Sequence, residues 1–136
     1  MLTQKYINSL AYKIVGCAIE VHKNLGPGLL ESVYELCLID ELKNNGLKVE
    51  SQIYLPVIYK GEKIGHDLKL DLLVEDLIIV ENKSVEVMLP LFSAQLLTYL
   101  KLTNKPKGLL INFNCENITK QVVSLVTKAF ADLPLE

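Results

Sequence analysis

Arginine is absent from this 136-residue chain: all 14 basic side chains are lysines, set against 16 acidic ones for a net charge of −2. Without guanidinium forks there is no bidentate reader of guanine and no dominant electrostatic grip on phosphate, although lysines still permit transient contact. Long apolar runs are missing too. Half the residues are hydrophobic and the mean hydropathy is +0.28, yet no stretch approaches the ~18 residues that would span a bilayer. A well-filled core, or a core plus an oligomer interface, accounts for that apolar content. The opening residues, MLTQKYINSL, lack a basic stretch followed by an apolar segment and a small-residue cleavage site, so a cytoplasmic location is expected.

Other absences narrow the chemistry. Cys17, Cys37 and Cys115 are odd in number and lie on apolar-patterned segments without metal-like spacing, which favours reduced core thiols over a disulfide or a zinc site. His22 and His66 have no third ligand at metal spacing; His66, at the start of a strand-like segment, is at most an accessory. Lysines 101, 105 and 107 cluster around a turn, where solvation is the default and contact with a phosphate backbone the alternative. Gly-rich phosphate loops and Ser or Cys triads have no match, so P-loop nucleotide hydrolysis and acyl transfer are unsupported.

What is present reads as one domain over residues 1–136, with no repeat, linker or low-complexity tract. Ile7, Leu10, Ile14, Ala18, Val21 and Leu25 recur at helical spacing, and Gly26-Pro27-Gly28 must interrupt that helix. A second helix is expected from about Leu29 to Asn45, stopped by Gly46. SQIYLPVIY and KIGHDLKLDLLV, joined at Lys60-Gly61-Glu62, read as a hairpin, and LIIVENKSV as a third strand. Pro90 suits the first turn of a helix through LFSAQLLTYLKL. A strand at GLLINF follows, then a helix whose Val122, Val126, Ala129 and Phe130 share one stripe. The order ααβββαβα implies an α/β fold, a mixed sheet covered by helices, because a parallel return needs a crossover helix.

Chemistry concentrates on adjacent strands. Asp71 lies on one; on the next, Glu81 and Lys83 are two apart and must face the same way, with Asn82 turned to the other face. Alone, an acid and an amine so spaced are more often a surface ion pair. Two carboxylates drawn together in a pocket repel, so one stays protonated or a cation sits between them, and their hard oxygens suit magnesium or manganese rather than zinc. Lys83 could then orient a water or neutralise charge developing on a phosphate. Gly28, Glu31 and Tyr34 fall on one helical face, and Gln95 and Tyr99, four apart, on another. By default the tyrosines are core-edge aromatics and Gln95 a solvated amide.

In combination, LGPGLLESVYE, Asp71, Glu81-Asn82-Lys83, and AQLLTYLKL followed by GLLINFN resemble the small bacterial GxxExxY proteins, a branch of the PD-(D/E)xK nuclease superfamily. The resemblance runs from about Val15 to Val126 and implies a restriction-endonuclease-like αβββαβ core with an extra N-terminal and an extra C-terminal helix. It further implies that Asp71 and Glu81 hold Mg2+ or Mn2+, that Glu31 can complete the metal environment, and that Lys83 assists the water. Gln95 and Tyr99 correspond to the QxxxY motif of the RecB-type branch. Leu70 stands where the superfamily's proline would be, and Asn82 where an apolar residue is more usual.

The implied function is metal-dependent phosphodiester hydrolysis in DNA or RNA. The alternative is a non-catalytic interaction module on the same fold, a homodimer in one form, suggested by the acidic charge and apolar content. A geometric condition attaches to the site. A two-residue turn pairing Val74 with Leu77 would set Asp71 opposite Val80 and on the wrong face. A three-residue connection at Glu75 to Leu77, or a distortion near Asp71, is needed to bring Asp71 opposite Glu81.

Overall fold

The apolar stripe of the first segment folds as α1 (Gln4–Leu25), burying Ile7, Leu10, Ala11, Ile14, Cys17, Ala18 and Val21. In this computed structural model, which describes residues 1–136 apart from the His66 side chain, the Thr3 side chain caps α1 by accepting the Tyr6 N–H. Gly26, at φ 69°, ends it. Helix α2 (Glu31–Asn44) buries Tyr34, Leu38 and Leu42 and turns away at Gly46. Strands β1 (Val49–Tyr59) and β2 (Glu62–Val74) form a hairpin. Its two turn residues, Lys60 and Gly61, have φ of 51° and 81°, the handedness that matches twisted strands.

Strand β3 (Ile78–Lys83) is antiparallel to β2 and parallel to β4 (Lys107–Asn112), with α3 (Pro90–Thr103) as the crossover. The sheet has five strands in the order β1-β2-β3-β4-β5. Helices α1 and α2 cover one face, where Leu72, Val74, Ile78 and Val80 join their core. Helix α3 covers the other, over Leu70, Leu73, Ile79 and Leu110. Two-sided cover explains why Ile78, Ile79 and Val80 are all fully buried. Among the described residues no helix is long and apolar enough to cross a membrane. Cys17, Cys37 and Cys115 are free thiols, the first buried and the others half-buried.

The end of the chain corrects one expectation. Val122–Val126 is not the start of a helix but strand β5, antiparallel to β4, and the final helix α4 covers only Lys128–Ala131. Val122 and Val126 are four apart, a spacing that serves a helix and an alternating strand equally. The β-branched run and the free edge of β4 decide it.

The condition on Asp71 is met twice over. The ladder pairs Val74 with Ile78, Leu73 with Ile79 and Leu72 with Val80, leaving a three-residue connection, Glu75 to Leu77. Continued by one step, that register would set Asp71 opposite Glu81. Glu75 and Asp76 take φ of 53° and 58°, unfavourable for residues with a Cβ. Glu75 is held by bonds with the Lys48 backbone at 2.6 and 2.8 Å, and Asp76 by an ion pair with Lys105 at 3.0 Å. There is also a distortion at Asp71 itself. The β1–β2 ladder skips Gln52 and Asp71, and Gln52 has φ 50°. Leu72 packs under α1 and α2 while Leu70 packs under α3. Residues two apart normally share a face, so the hairpin turns over at Asp71.

Candidate metal centre at a strand fork

Strand β3 stays paired with β4 as far as Lys83 and Asn112, whereas its ladder with β2 ends at Leu72 and Val80. The strands fork there, and side chains replace the missing ladder bonds. The Asn82 N–H donates to Asp71 Oδ2 at 3.0 Å, and the Asp71 N–H donates to Glu81 Oε1 at 3.4 Å. The two acids therefore meet at the fork. Burial first, and the neighbouring Asp71 carboxylate second, push the Glu81 carboxyl from 4.5 up to about 9, against a smaller opposing pull from Lys83. Without a cation the pair holds a proton.

The other expected residues divide between two sides of this fork. Glu31 opens α2, where its Oε1 accepts the Ser84 N–H at 3.3 Å, and it lines with Asp71 a cleft of about 660 Å³. Its loop is pinned by Tyr34, whose hydroxyl donates to the Gly26 carbonyl at 2.6 Å and accepts the Leu29 N–H at 3.1 Å. Fully buried, the Tyr34 ring stacks on Phe113 with centroids 4.7 Å apart. Gly28, at φ 99°, supplies the turn in between. So Gly28, Glu31 and Tyr34 act as turn, acid and anchor.

On the α3 side the Lys83 ammonium lies 4.5 Å from the centroid of the Phe92 ring. Phe92 borders a shallow groove with Gln95 and Tyr99, which bond to each other, Nε2 to hydroxyl, at 2.9 Å. The structure thus joins Asp71 to Glu81, puts Glu31 in the same cleft as Asp71, and links Lys83 to the Gln95–Tyr99 pair only through Phe92. Among the described residues no three of His, Cys, Asp and Glu converge as a metal cage. Two carboxylates still suit a hard cation of the magnesium type, which commonly keeps waters and substrate oxygens as its remaining ligands.

Several residues of the cleft escaped the sequence reading. Glu35 lies one turn beyond Glu31, and Gln52 Nε2 donates to both of its carboxylate oxygens at 2.9 Å. Burial raises the Glu35 pKa, while the Gln52 hydrogen bond opposes the rise. Its spacing of four from Glu31 was a usable signal; nothing local marks Gln52. Lys69 reaches the cleft from two residues before Asp71. Asn112 secures the segment after β3 by accepting the Val85 N–H at 3.1 Å and donating to the Val85 carbonyl at 2.9 Å. Elsewhere, His22 Nε2 bonds the Cys115 carbonyl at 2.7 Å, and Lys107 donates to Asn8 at 3.1 Å. The side chain of His66 lies outside the described residues.

Among solved structures, one titled "Crystal structure of SSO0001" matches with a TM-score of 0.51 at 21% identity, over 77% of this chain and 50% of that one. That likeness speaks for the fold, a mixed sheet between helices of restriction-endonuclease type, and the chain spans about half the length of that protein. No curated protein matches the sequence. A family model described as the PD-(D/E)XK nuclease superfamily matches residues 8–125. Since that match runs from α1 through the fork to β5, the chain belongs to the PD-(D/E)XK nuclease superfamily.

Proposed function

We propose that this protein is a divalent-metal-dependent nuclease of the GxxExxY type, in the RecB-type branch, hydrolysing phosphodiester bonds in DNA or RNA. The observation that carries the reading is the meeting of Asp71 and Glu81 at the fork, Asp71 tied to the Asn82 N–H and Glu81 to the Asp71 N–H.

Asp71 and Glu81 would hold Mg2+ or Mn2+, and Glu31, which lines the same cleft as Asp71, would reach the ion through a bound water. When bound, the ion supplies Lewis acidity at a phosphoryl oxygen and lowers the pKa of water. The protein's own groups do the rest. Asp71, fixed by the Asn82 N–H, offers Oδ1 to the site without having to be ordered. Glu81, raised by burial and by Asp71, would have to release its proton to serve as the second anionic ligand. Lys83 carries its ammonium on the same strand face as Glu81, where it can orient a water or stabilise charge on the phosphate. Gln95 and Tyr99, already bonded to each other, support a phosphate oxygen or water from α3.

Cleavage of single-stranded and duplex DNA and RNA with each metal tests this, comparing the wild type with Glu81→Ala and Lys83→Ala. Metal-dependent cleavage lost in both variants supports the assignment. Cleavage persisting in both would come from a contaminant and reject it, leaving the non-catalytic module.

A further inference from the structure

Beyond Asp71 the hairpin has one covered face and one bare face. Ile53, Leu55 and Leu70 pack toward α3, so alternation turns Tyr54 and Lys69 to the opposite face. The ladder sets Tyr54 directly across from Lys69 and, nearer the tip, Ile58 across from Lys63. Tyr54 is 61% exposed and Ile58 54%. Lys69 lines the cleft of Glu31 and Asp71, two residues or about 7 Å before Asp71 along the strand. Among the described residues neither Lys63 nor Lys69 has an ion pair. At the tip the Lys60 ammonium lies 5.4 Å from the centroid of the Tyr59 ring, itself exposed. Exposed rings and lysines thus lead away from the candidate metal centre.

What such a face takes follows from what the chain lacks. With no arginine and a net charge of −2, it has little with which to grip the two phosphate rows of a duplex. A bare ring across from a lysine suits an unpaired strand, whose bases present free π-faces while its phosphates meet the amine. Duplex bases are stacked on one another and offer no face to Tyr54. A second copy of the chain seated here would close the cleft into which the proposed metal centre opens. We propose that the substrate strand is single-stranded and leaves the fork along this face, one base stacked on Tyr54 and a neighbouring phosphate held by Lys69. Because every base has a π-face, such a track carries little sequence preference. The inference rests on the nuclease reading, in which a divalent ion offsets the carboxylates of the cleft.

Fluorescence anisotropy tests it, with calcium present and three labelled probes of one length: oligo(dT), the same backbone abasic throughout, and a blunt duplex. The wild type should bind oligo(dT) about tenfold more tightly than either of the others, the worth of one stacked base. Tyr54→Ala should bring oligo(dT) within about threefold of the abasic strand, and Tyr54→Phe should restore the difference. Lys69→Gln should weaken oligo(dT) and the abasic strand by the same factor and reduce the salt slope by about one. Both side chains are exposed, so melting temperatures should hold. Equal binding of all three probes, a tenfold preference that survives Tyr54→Ala, or failure to bind any probe overturns the track. So does a dimer in light scattering that Tyr54→Ala converts to a monomer. Manganese-dependent cleavage of oligo(dT), measured on the same preparation, keeps these failures apart from failure of the nuclease reading.

Discussion

Asp71 Oδ2 accepts the backbone N–H of Asn82 at 3.0 Å, so a side chain of β2 occupies the hydrogen-bonding position that a β2 carbonyl would fill in an unbroken ladder. The proposed metal ligand and the sheet structure therefore share one atom group. The carboxylate is ordered by the strand it faces, and the open end of β3 is closed by the carboxylate.

The first prediction concerns stability without metal. The Glu81 carboxyl is raised from 4.5 to about 9, by burial and then by Asp71, so between those values the folded protein keeps a proton that the unfolded chain releases. This contribution is complete below the ordinary carboxylate range and is lost as pH rises toward the folded value. Urea denaturation in chelator should show stability falling across that window, and Glu81→Gln should flatten the slope. A wild-type profile as flat as the variant's would contradict the protonated pair.

A second expectation follows from linkage. If the pair holds a proton before the cation arrives, manganese binding at neutral pH must expel about one proton. Calorimetric titration in buffers of differing ionisation enthalpy measures that number directly. A binding heat independent of buffer would show that Glu81 is already ionised.

Lys83 should separate binding from reaction. In Lys83→Met the stem over Phe92 is kept and the charge removed, so stability should fall by no more than the ~0.5–1 kcal/mol of an exposed cation–π contact. Manganese affinity should stay within a few-fold, while cleavage drops about a hundredfold. Loss of manganese binding instead would recast the lysine as a structural partner of Glu81.

Tyr34→Phe should keep the stack on Phe113 but free both the Gly26 carbonyl and the Leu29 N–H. Two lost hydrogen bonds predict a cost of ~1–3 kcal/mol. Faster amide exchange should be confined to the loop ahead of Glu31. If exchange there is unchanged, the hydroxyl does not hold that loop.

Much of this arrangement was legible from local rules. The stripe from Ile7 to Val21, the stop at Gly26, Pro90 at the head of α3 and the turn at Lys60-Gly61 each rest on neighbouring residues alone. Alternation within two strands showed that, if Asp71 and Glu81 share a site, either the connection at Glu75 to Leu77 is irregular or the strand is distorted near Asp71, and the connection has three residues. What escaped depends on partners distant in the chain. Val122–Val126 is a strand because β4 offers it an edge. Gln52 holds a strained φ alongside its bonds to Glu35, 17 residues away. That Asn82 points away from Glu81 was readable; that nothing would meet its amide was not.

Beyond Asp71 the hairpin continues to Lys60-Gly61 without further ladder pairs to β3. At ~3.3 Å per residue the nine residues from Asp71 back to Glu62 span about 30 Å. Leu70, Ile53 and Leu55 pack the hairpin against the α3 side, and beyond them it is a cantilever, rooted next to the proposed metal centre and exposed at its tip. Force applied at Lys60 and Gly61 acts through a long arm on the gap between Asp71 and Glu81, where a fraction of an ångström decides whether two ligands can share one ion.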